Sequence, residues 1–281
     1  MTSEDTGSIG TFPIHMVNSI AEKNAAAEKA RAEFREKSHK NPGDAFYEHD
    51  RLKHHFPYYG TVLCPIADRD YLLFSVNDDV VAWNFFWLGK YEKPLLEKWH
   101  EITIGGGVAL DVGAYSGIYS LVAAKNNCQV HAFEIMQRTV ERAKINFRLN
   151  DVADRISLHA YGLSSQAGHI DLHLPRNADF LGTGNSIDLK KNVPLVTKIV
   201  AEVKTINDFV EETKIDRIDA IKIDVEGHEI ELLTTMRPLL EKYKPPMIIE
   251  FSKDQKVGFA MLNEIGYRLE QLHGLNYFAS V

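Results

Sequence analysis

Beyond residue 105 the chain alternates short apolar runs with stretches whose apolar positions repeat at helical spacing. The run VALDV at 108–112 ends at Gly113, and Ile118, Leu121 and Val122 follow at helical intervals behind Ser116, a candidate N-cap. CQVHAFE at 128–134 precedes a helix from Gln137 to Leu149, with Val140, Ala143 and Phe147 on one face and Asn150 closing it. RISLHAYGL at 155–163 and HIDLHL at 169–174 read as neighbouring strands, and the long loop PRNADFLGTGNSIDLKKNVP follows them. KIVAEVKT then leads to Thr205, which with Asp208 forms a capping pattern opening the helix INDFVEET. Ala220 to Val225 and Met247 to Phe251 are further apolar strands, the second followed by Ser252 and Gln255 in the spacing of a capping box. YRLEQL and LNYFASV, separated by His273 and Gly274, close the chain as a hairpin. Unbroken apolar runs are the mark of parallel strands buried on both faces. Right-handed crossovers between them predict a doubly wound α/β sheet with an antiparallel edge.

Upstream the pattern is different. Residues 1–13 are polar and read as disordered, whereas 14–40 are alanine-rich with Glu33 and Lys37, then Glu36 and Lys40, at the i,i+4 spacing that supports a helix. NPGD at 41–44 breaks it. His49, His54 and His55 follow, at spacings that fit no zinc pattern, so no metal is expected. GTVLCPI and DYLLFSV suggest a hairpin across ADRD, and VVAWNFFWL predicts a helix to Leu88, with another starting at Pro94. The expected division is an extension at 1–60, partly disordered, whose helix could contact another subunit, and a larger domain at 61–281. Within that domain, 61–104 is an N-terminal part and 105–281 a Rossmann-like core.

Composition narrows the classes. With 44% hydrophobic and 25% charged residues, 281 residues suffice for one large globular domain plus an appendage. A net charge of −7 without a basic tract argues against a nucleic-acid partner. Two cysteines cannot make a disulfide framework, the first residues lack a signal-peptide pattern, and VVAWNFFWLG is too short to span a bilayer. A cytoplasmic protein without membrane attachment is the expectation.

Candidate chemistry gathers at the strand ends. Gly113 and Gly117 are spaced G-x-x-x-G, not the G-x-G-x-x-G that cradles a pyrophosphate, and Asp111 precedes them. An acid there suits a ligand with an ammonium group, such as S-adenosylmethionine. Asp111, Glu134, Asp224 and Glu250 all end parallel strands and are expected to converge on one crevice. Glu134, at the end of the second strand, stands where a carboxylate accepts hydrogen bonds from ribose hydroxyls. His228, in the first turn of a helix, is a candidate base because the helix dipole disfavours its cation, and Asp224 is the other candidate. Glu250 and Tyr91 are candidate acceptor contacts, joined by Gly184 and Asn185 of the GTGNS segment. A nicotinamide-dependent oxidoreductase and a non-catalytic binding module that keeps the fold are the alternatives.

DVGAYSG, HAFE and above all IKIDVEGHEIELL at 221–233 resemble the FkbM family of S-adenosylmethionine-dependent methyltransferases, from about Asn77 to Phe251. The resemblance implies a class I methyltransferase sheet of seven strands with the last antiparallel. It also implies O-methylation, often of sugars or glycosylated natural products. By it, Asp111 and Gly113 would face the methionine end of the cofactor, with Ala114, Tyr115 and Gly117 beside them. Glu134 would hold the ribose, Ile135 and Gly162 would flank adenine, and Asp224 and Glu226 would stand near the sulfonium and the acceptor. The family usually carries Asn-x-Gly where this chain has Tyr115-Ser116-Gly117, which makes Tyr115 an altered wall of the pocket. The first 60 residues resemble nothing nameable.

Overall fold

A computed structural model describes residues 14–40, 52, 54–175, 181 and 195–281. The expectations for 1–13, for NPGD and for Gly184 and Asn185 fall outside the described residues. Two compact units emerge, Met1–Gly60 with Ser75–Asn77, and Thr61–Phe74 with Asp78–Val281. In the first, helix α1 (Ile14–Lys40) holds the segment after it through Asn24. The Asn24 amide donates to the Tyr59 carbonyl at 2.7 Å and accepts from the Tyr59 N–H at 2.9 Å, as a paired strand would.

The second unit starts with β1 (Gly60–Ile66) and β2 (Arg69–Ser75), which form a two-stranded sheet. Helix α2 (Val80–Leu88) begins where the Asp79 carboxylate accepts from the N–H groups of Val81 and Ala82, and it buries Trp83, Phe85, Phe86 and Trp87. Helix α3 (Lys93–Thr103) opens with proline in its first turn. Then come β3 (Gly107–Val112), α4 (Ile118–Lys125), β4 (Cys128–Phe133), α5 (Gln137–Leu149) and β5 (Ile156–His159). Strands β6 (Gly162–Leu163), β7 (Gly168–Pro175) and β8 (Leu195–Lys204) precede α6 (Ile206–Thr213). The chain ends with β9 (Ala220–Ile223), α7 (Glu229–Tyr243), β10 (Met247–Glu250), α8 (Gln255–Ile265), β11 (Arg268–His273) and β12 (Asn276–Ser280).

Seven strands form the central sheet in the order β11-β12-β10-β9-β3-β4-β5. From β5 to β10 neighbours run parallel, and β12 is antiparallel to β10. This is the doubly wound α/β sheet expected from the apolar runs, and its seven strands with the last antiparallel are those that the family resemblance implies. Leu110, Ile221, Ile223, Met247 and Ile249 are fully buried at its middle, which explains why these strands carry no polar alternation.

Four local readings change. The stretch 155–163 is two strands: β5 stays in the central sheet, while β6 begins a separate three-stranded sheet ordered β6-β8-β7. HIDLHL therefore pairs with β8, not with the central sheet. Ser116 does not cap α4, because the N-cap is Gly117 at φ 93°, a left-handed conformation in which no side chain caps. Ser252 and Gln255 make no capping box either, since Asp254 takes the N-cap of α8 at φ 46°. Thr205 and Asp208 do form one on α6. Asn150, read as a helix stop, also accepts from the Leu72 N–H at 3.0 Å and donates to the Leu72 carbonyl at 2.7 Å, pairing with the edge of β2. Among the described residues no helix is long and apolar enough to cross a membrane.

Candidate active site

Strand register explains which acids meet. Across the parallel strands Val112 lies level with Phe133 and Ile223, and Ile249 lies level with Ile223. One residue on, Gly113, Glu134, Asp224 and Glu250 therefore occupy a single row at the carboxyl edge of the sheet. Gly113 fits there only as glycine, because a Cβ would stand 1.8 Å from the Asp224 carbonyl oxygen, and its φ is 87°. Close approach of the neighbouring backbone is thus reason enough for this residue.

A cavity of about 240 Å³ opens over the row and is lined by Gly113, Ala114, Tyr115, Glu134, Ile135, Gly162, Asp224, Glu226, His228, Glu250 and Tyr91. Sequence reasoning had named all of these. Asp111 and Gly117 are not in the lining. Asp111 sits two residues back from the row, level with Ala132 and Lys222, where it is buried and accepts from Ser120 Oγ at 2.5 Å. The convergence expected of four acids therefore holds for three of them. Gly117 packs instead against Phe147, whose ring carbon would be 2.4 Å from an added Cβ.

One end of the cavity is built from backbone and apolar side chains. The Glu134 carboxylate accepts from the Tyr115 N–H at 2.9 Å and the Met136 N–H at 2.7 Å, which fixes both oxygens. Burial pushes this carboxyl up to about 7, against those two hydrogen bonds. Ile135 and Met136 continue the wall, and the three-stranded sheet completes it with Leu163, Leu172 and Val203. That second sheet is the reason the chain leaves the central one after β5.

The opposite end is polar and charged. Lys222 is 1% exposed, with Nζ 3.3 Å from Asp224 Oδ2, 3.4 Å from the Ile223 carbonyl and 5.1 Å from the centre of the Tyr119 ring. Burial opposes its charge, but the carboxylates of Asp224, Glu92, Glu250 and Asp111 together outweigh burial and raise its pKa. The Tyr119 hydroxyl donates to Glu92 Oε2 at 2.6 Å. Burial and the Asp224 charge push Glu250 up to about 7 against the pull of Lys222, with Glu92 and Glu226 adding to the rise. Glu92, Tyr115 and Glu226 all line the cavity at positive φ, at 38°, 50° and 53°. Backbone strain of this kind concentrates at ligand sites.

His228 is the N-cap residue of α7, one step before the first turn where its spacing put it, and its side chain does not cap. Nε2 lies 2.8 Å from Glu231 Oε2 and 3.1 Å from Ser164 Oγ. The ring is held by a carboxylate and a hydroxyl, so the helix terminus does not act on it alone. Lys222 and Tyr119 also line the cavity, and the sequence pattern did not single them out. A lysine inside an apolar parallel strand was the available signal, because an unpaired charge there costs several kcal/mol.

The residues present fit S-adenosylmethionine. Carboxylates crowd the end where a cationic ligand would be welcome, a fixed carboxylate faces the apolar end where ribose hydroxyls could donate, and aliphatic walls suit an adenine ring.

Comparison with known proteins agrees with that chemistry. No curated protein matches the sequence. Among solved structures, the methyltransferase FkbM of Methylobacillus flagellatus KT is 17% identical over 71% of this chain and 52% of its own, with a TM-score of 0.42. This chain thus spans about half the length of that relative. The SAM-dependent methyltransferase of Agrobacterium tumefaciens is 11% identical over 78% of this chain and 69% of its own, at a TM-score of 0.45. The tRNA (uracil-54, C5)-methyltransferase of Pyrococcus abyssi, in complex with S-adenosyl-L-homocysteine, is 14% identical over 79% of this chain and 43% of its own, at 0.42. With TM-scores below 0.5, these likenesses assign this chain nothing by themselves. A family model for the methyltransferase FkbM domain, by contrast, matches residues 111–275, more than half of the sequence and the whole of the carboxyl-edge row. The chain belongs to the FkbM methyltransferase family.

Proposed function

We propose that this chain is an S-adenosylmethionine-dependent methyltransferase that transfers the methyl group to a hydroxyl of a sugar or glycosylated small molecule. The observation that carries the reading is the asymmetry of one cavity, a backbone-fixed carboxylate beside aliphatic walls at one end and a hydrogen-bonding, charge-rich group of side chains at the other. S-adenosylmethionine supplies a methyl already activated on a sulfonium, so the protein's tasks are alignment, exclusion of water and removal of one proton. Glu134 accepts the ribose hydroxyls. Ile135 and Gly162 bound the adenine, while Gly113, Ala114 and Tyr115 shape the floor.

Asp224 and Glu226 favour the cationic end of the cofactor, and Tyr91 and Glu250 meet the acceptor. Asp111 contributes from behind the row, where its charge supports Lys222. A polyanionic acceptor is disfavoured, because Glu92, Asp224, Glu226 and Glu250 outnumber the single ammonium of Lys222 in the lining.

Calorimetry with S-adenosylmethionine, S-adenosylhomocysteine and NAD, followed by transfer of labelled methyl to a panel of methyl glycosides, a bulk tRNA and a peptide mixture, tests the reading. Binding of the two sulfur compounds but not NAD, with label on a glycoside oxygen, is the expected outcome. Label on the tRNA or the peptides overturns the sugar assignment, and binding without any transfer favours a non-catalytic module.

A further inference from the structure

We propose that Glu250 takes the proton of the acceptor hydroxyl during methyl transfer and that Lys222 is the positioning residue that keeps its carboxylate ionised. This rests on the hydroxyl-acceptor reading above. The other candidate bases in the cavity already have partners. Both oxygens of Glu134 accept backbone N–H groups, Asp224 is paired with Lys222, and Glu92 receives the Tyr119 hydroxyl. His228 Nε2 is shared between Glu231 and Ser164, and Glu226 is engaged as well. Glu250 is different. It lines the cavity half-buried, its surroundings act on it through burial and charge, and no hydrogen-bond donor among the described residues holds its carboxylate. Its oxygens are available to an incoming hydroxyl.

Availability alone does not make a base, because a buried carboxyl surrounded by like charge stays protonated. The groups facing Glu250 come from three places: Lys222 and Asp224 on and just after β9, Glu92 at the start of α3, and Glu226 in the turn before α7. Three of these four are acids. Lys222 is the one cation, and its own charge is secured by Asp224, Glu92, Glu250 and Asp111 with its ammonium over the Tyr119 ring. Asp111, which the strand register removes from the cavity, thereby gains a task. With Lys222 in place, Glu250 titrates near neutrality, where a general base is most effective.

The acceptor oxygen forms a bond to the methyl carbon while the carbon–sulfur bond breaks and leaves its electron pair on sulfur, giving the neutral thioether. The hydroxyl proton passes to Glu250.

The test reads the carboxyl directly. In protein labelled with ¹³C at glutamate carboxyls and saturated with S-adenosylhomocysteine, the Glu250 signal is assigned by its loss in Glu250→Gln. A midpoint near neutrality is expected. Lys222→Met should raise it by about one unit or more, Lys222→Arg should leave it within a few tenths, and Glu92→Gln should lower it. On the methyl glycoside that turns over, Lys222→Met should lose about tenfold in kcat/KM near pH 7 and regain it toward about pH 9. Glu250→Gln should lose about 10²-fold or more in kcat while S-adenosylhomocysteine affinity stays within about twofold. A lysine that merely holds the fold would lower activity at every pH without moving the titration.

A Glu250 midpoint in the ordinary carboxylate range, or one unmoved by Lys222→Met, overturns the proposal. If Lys222→Met does not fold, Glu92→Gln decides, and an unmoved midpoint there overturns it equally. Methylation of nitrogen in place of oxygen, with the carboxyl titration as expected, would show instead that the acceptor assignment has failed.

Discussion

The two ends of the cavity hold their carboxylates by different means. Glu134 is gripped by two backbone N–H groups, whose positions follow from the turn after β3 and the start of α5. Glu250 has no such donor among the described residues: burial and the charges of Asp224, Glu92 and Glu226 disfavour its carboxylate, and Lys222 alone among these charges favours it. Backbone donors cannot be exchanged by mutation, so the Glu134 end is as fixed as the fold itself. A field made of side chains can be retuned one residue at a time, which suits an end proposed to meet the acceptor. Conservation of one end and adaptability of the other can then coexist in a single cavity of about 240 Å³.

The contrast depends first on the row that joins the two ends. Gly113→Ala should be the most damaging single change, because the new Cβ would fall 1.8 Å from the Asp224 carbonyl at a φ of 87° that alanine resists. Neither backbone can yield without separating β3 from β9. A loss above about 4 kcal/mol is expected, read as failure to fold or as a collapse of the denaturation midpoint. A stable, cofactor-binding Gly113→Ala protein would mean that the two strand ends are less tightly coupled than the register implies.

Next comes Glu134→Gln, which keeps the shape but turns one acceptor oxygen into a donor facing an N–H. S-adenosylhomocysteine affinity should fall by about 1.5–3 kcal/mol, or roughly 10–100-fold, with the acceptor KM little changed. The same calorimetry on Glu250→Gln should show almost no loss. Equal losses at both ends would erase the distinction between them.

Much of this was legible in the residues, for identifiable reasons. Strand ends with Glu134, Asp224 and Glu250 could be found because unbroken apolar runs stop at them, and a parallel sheet brings strand ends to one edge. Asp111 looked the same in sequence, yet its strand continues through Val112 before Gly113, so it falls two residues short of the row. Register between strands is a tertiary property, and a run such as VALDV does not state where its neighbours stop. Lys222 was passed over because AIKI at 220–223 reads as apolar with one exception, and the exception was the signal. The second sheet was invisible for another reason: RISLHAYGL is continuous in pattern, and only the bend at 160–161 divides it.

Acidity gives a smaller test of how the fixed end is built. Glu134 is raised from its ordinary value to about 7 and Asp79 and Asp111 to about 6, all three chiefly by burial. A raised carboxyl binds its proton more tightly in the folded state, so its stabilisation is complete below the unfolded value and fades as pH climbs through the folded one. The ligand-free protein should therefore lose thermal stability between about pH 4 and pH 7. Glu134→Gln should flatten the upper part of that decline, above about pH 6, by roughly 1–2 kcal/mol, since the two aspartates have already titrated there. An unchanged slope would place the Glu134 proton in contact with water.

The smallest effect is expected where the fixed end meets the second sheet. At Gly162 an added Cβ would lie 2.9 Å from Ile135 Cδ1 and 3.4 Å from Val203 Cγ1. Both are tips of side chains, and the glycine has no left-handed backbone to defend, so Gly162→Ala should cost under about 1 kcal/mol of stability. Ile135 must swing toward the cavity to make room. If it bounds the adenine, that movement narrows the fixed end, and S-adenosylhomocysteine affinity should drop about two- to fivefold while the melting temperature shifts by only a few degrees. The ratio of the two losses is the useful quantity. Affinity falling more than stability means the second sheet serves the ligand; stability falling more means that it serves the frame, and the wall formed by Leu163, Leu172 and Val203 would then be packing that the cavity merely borders.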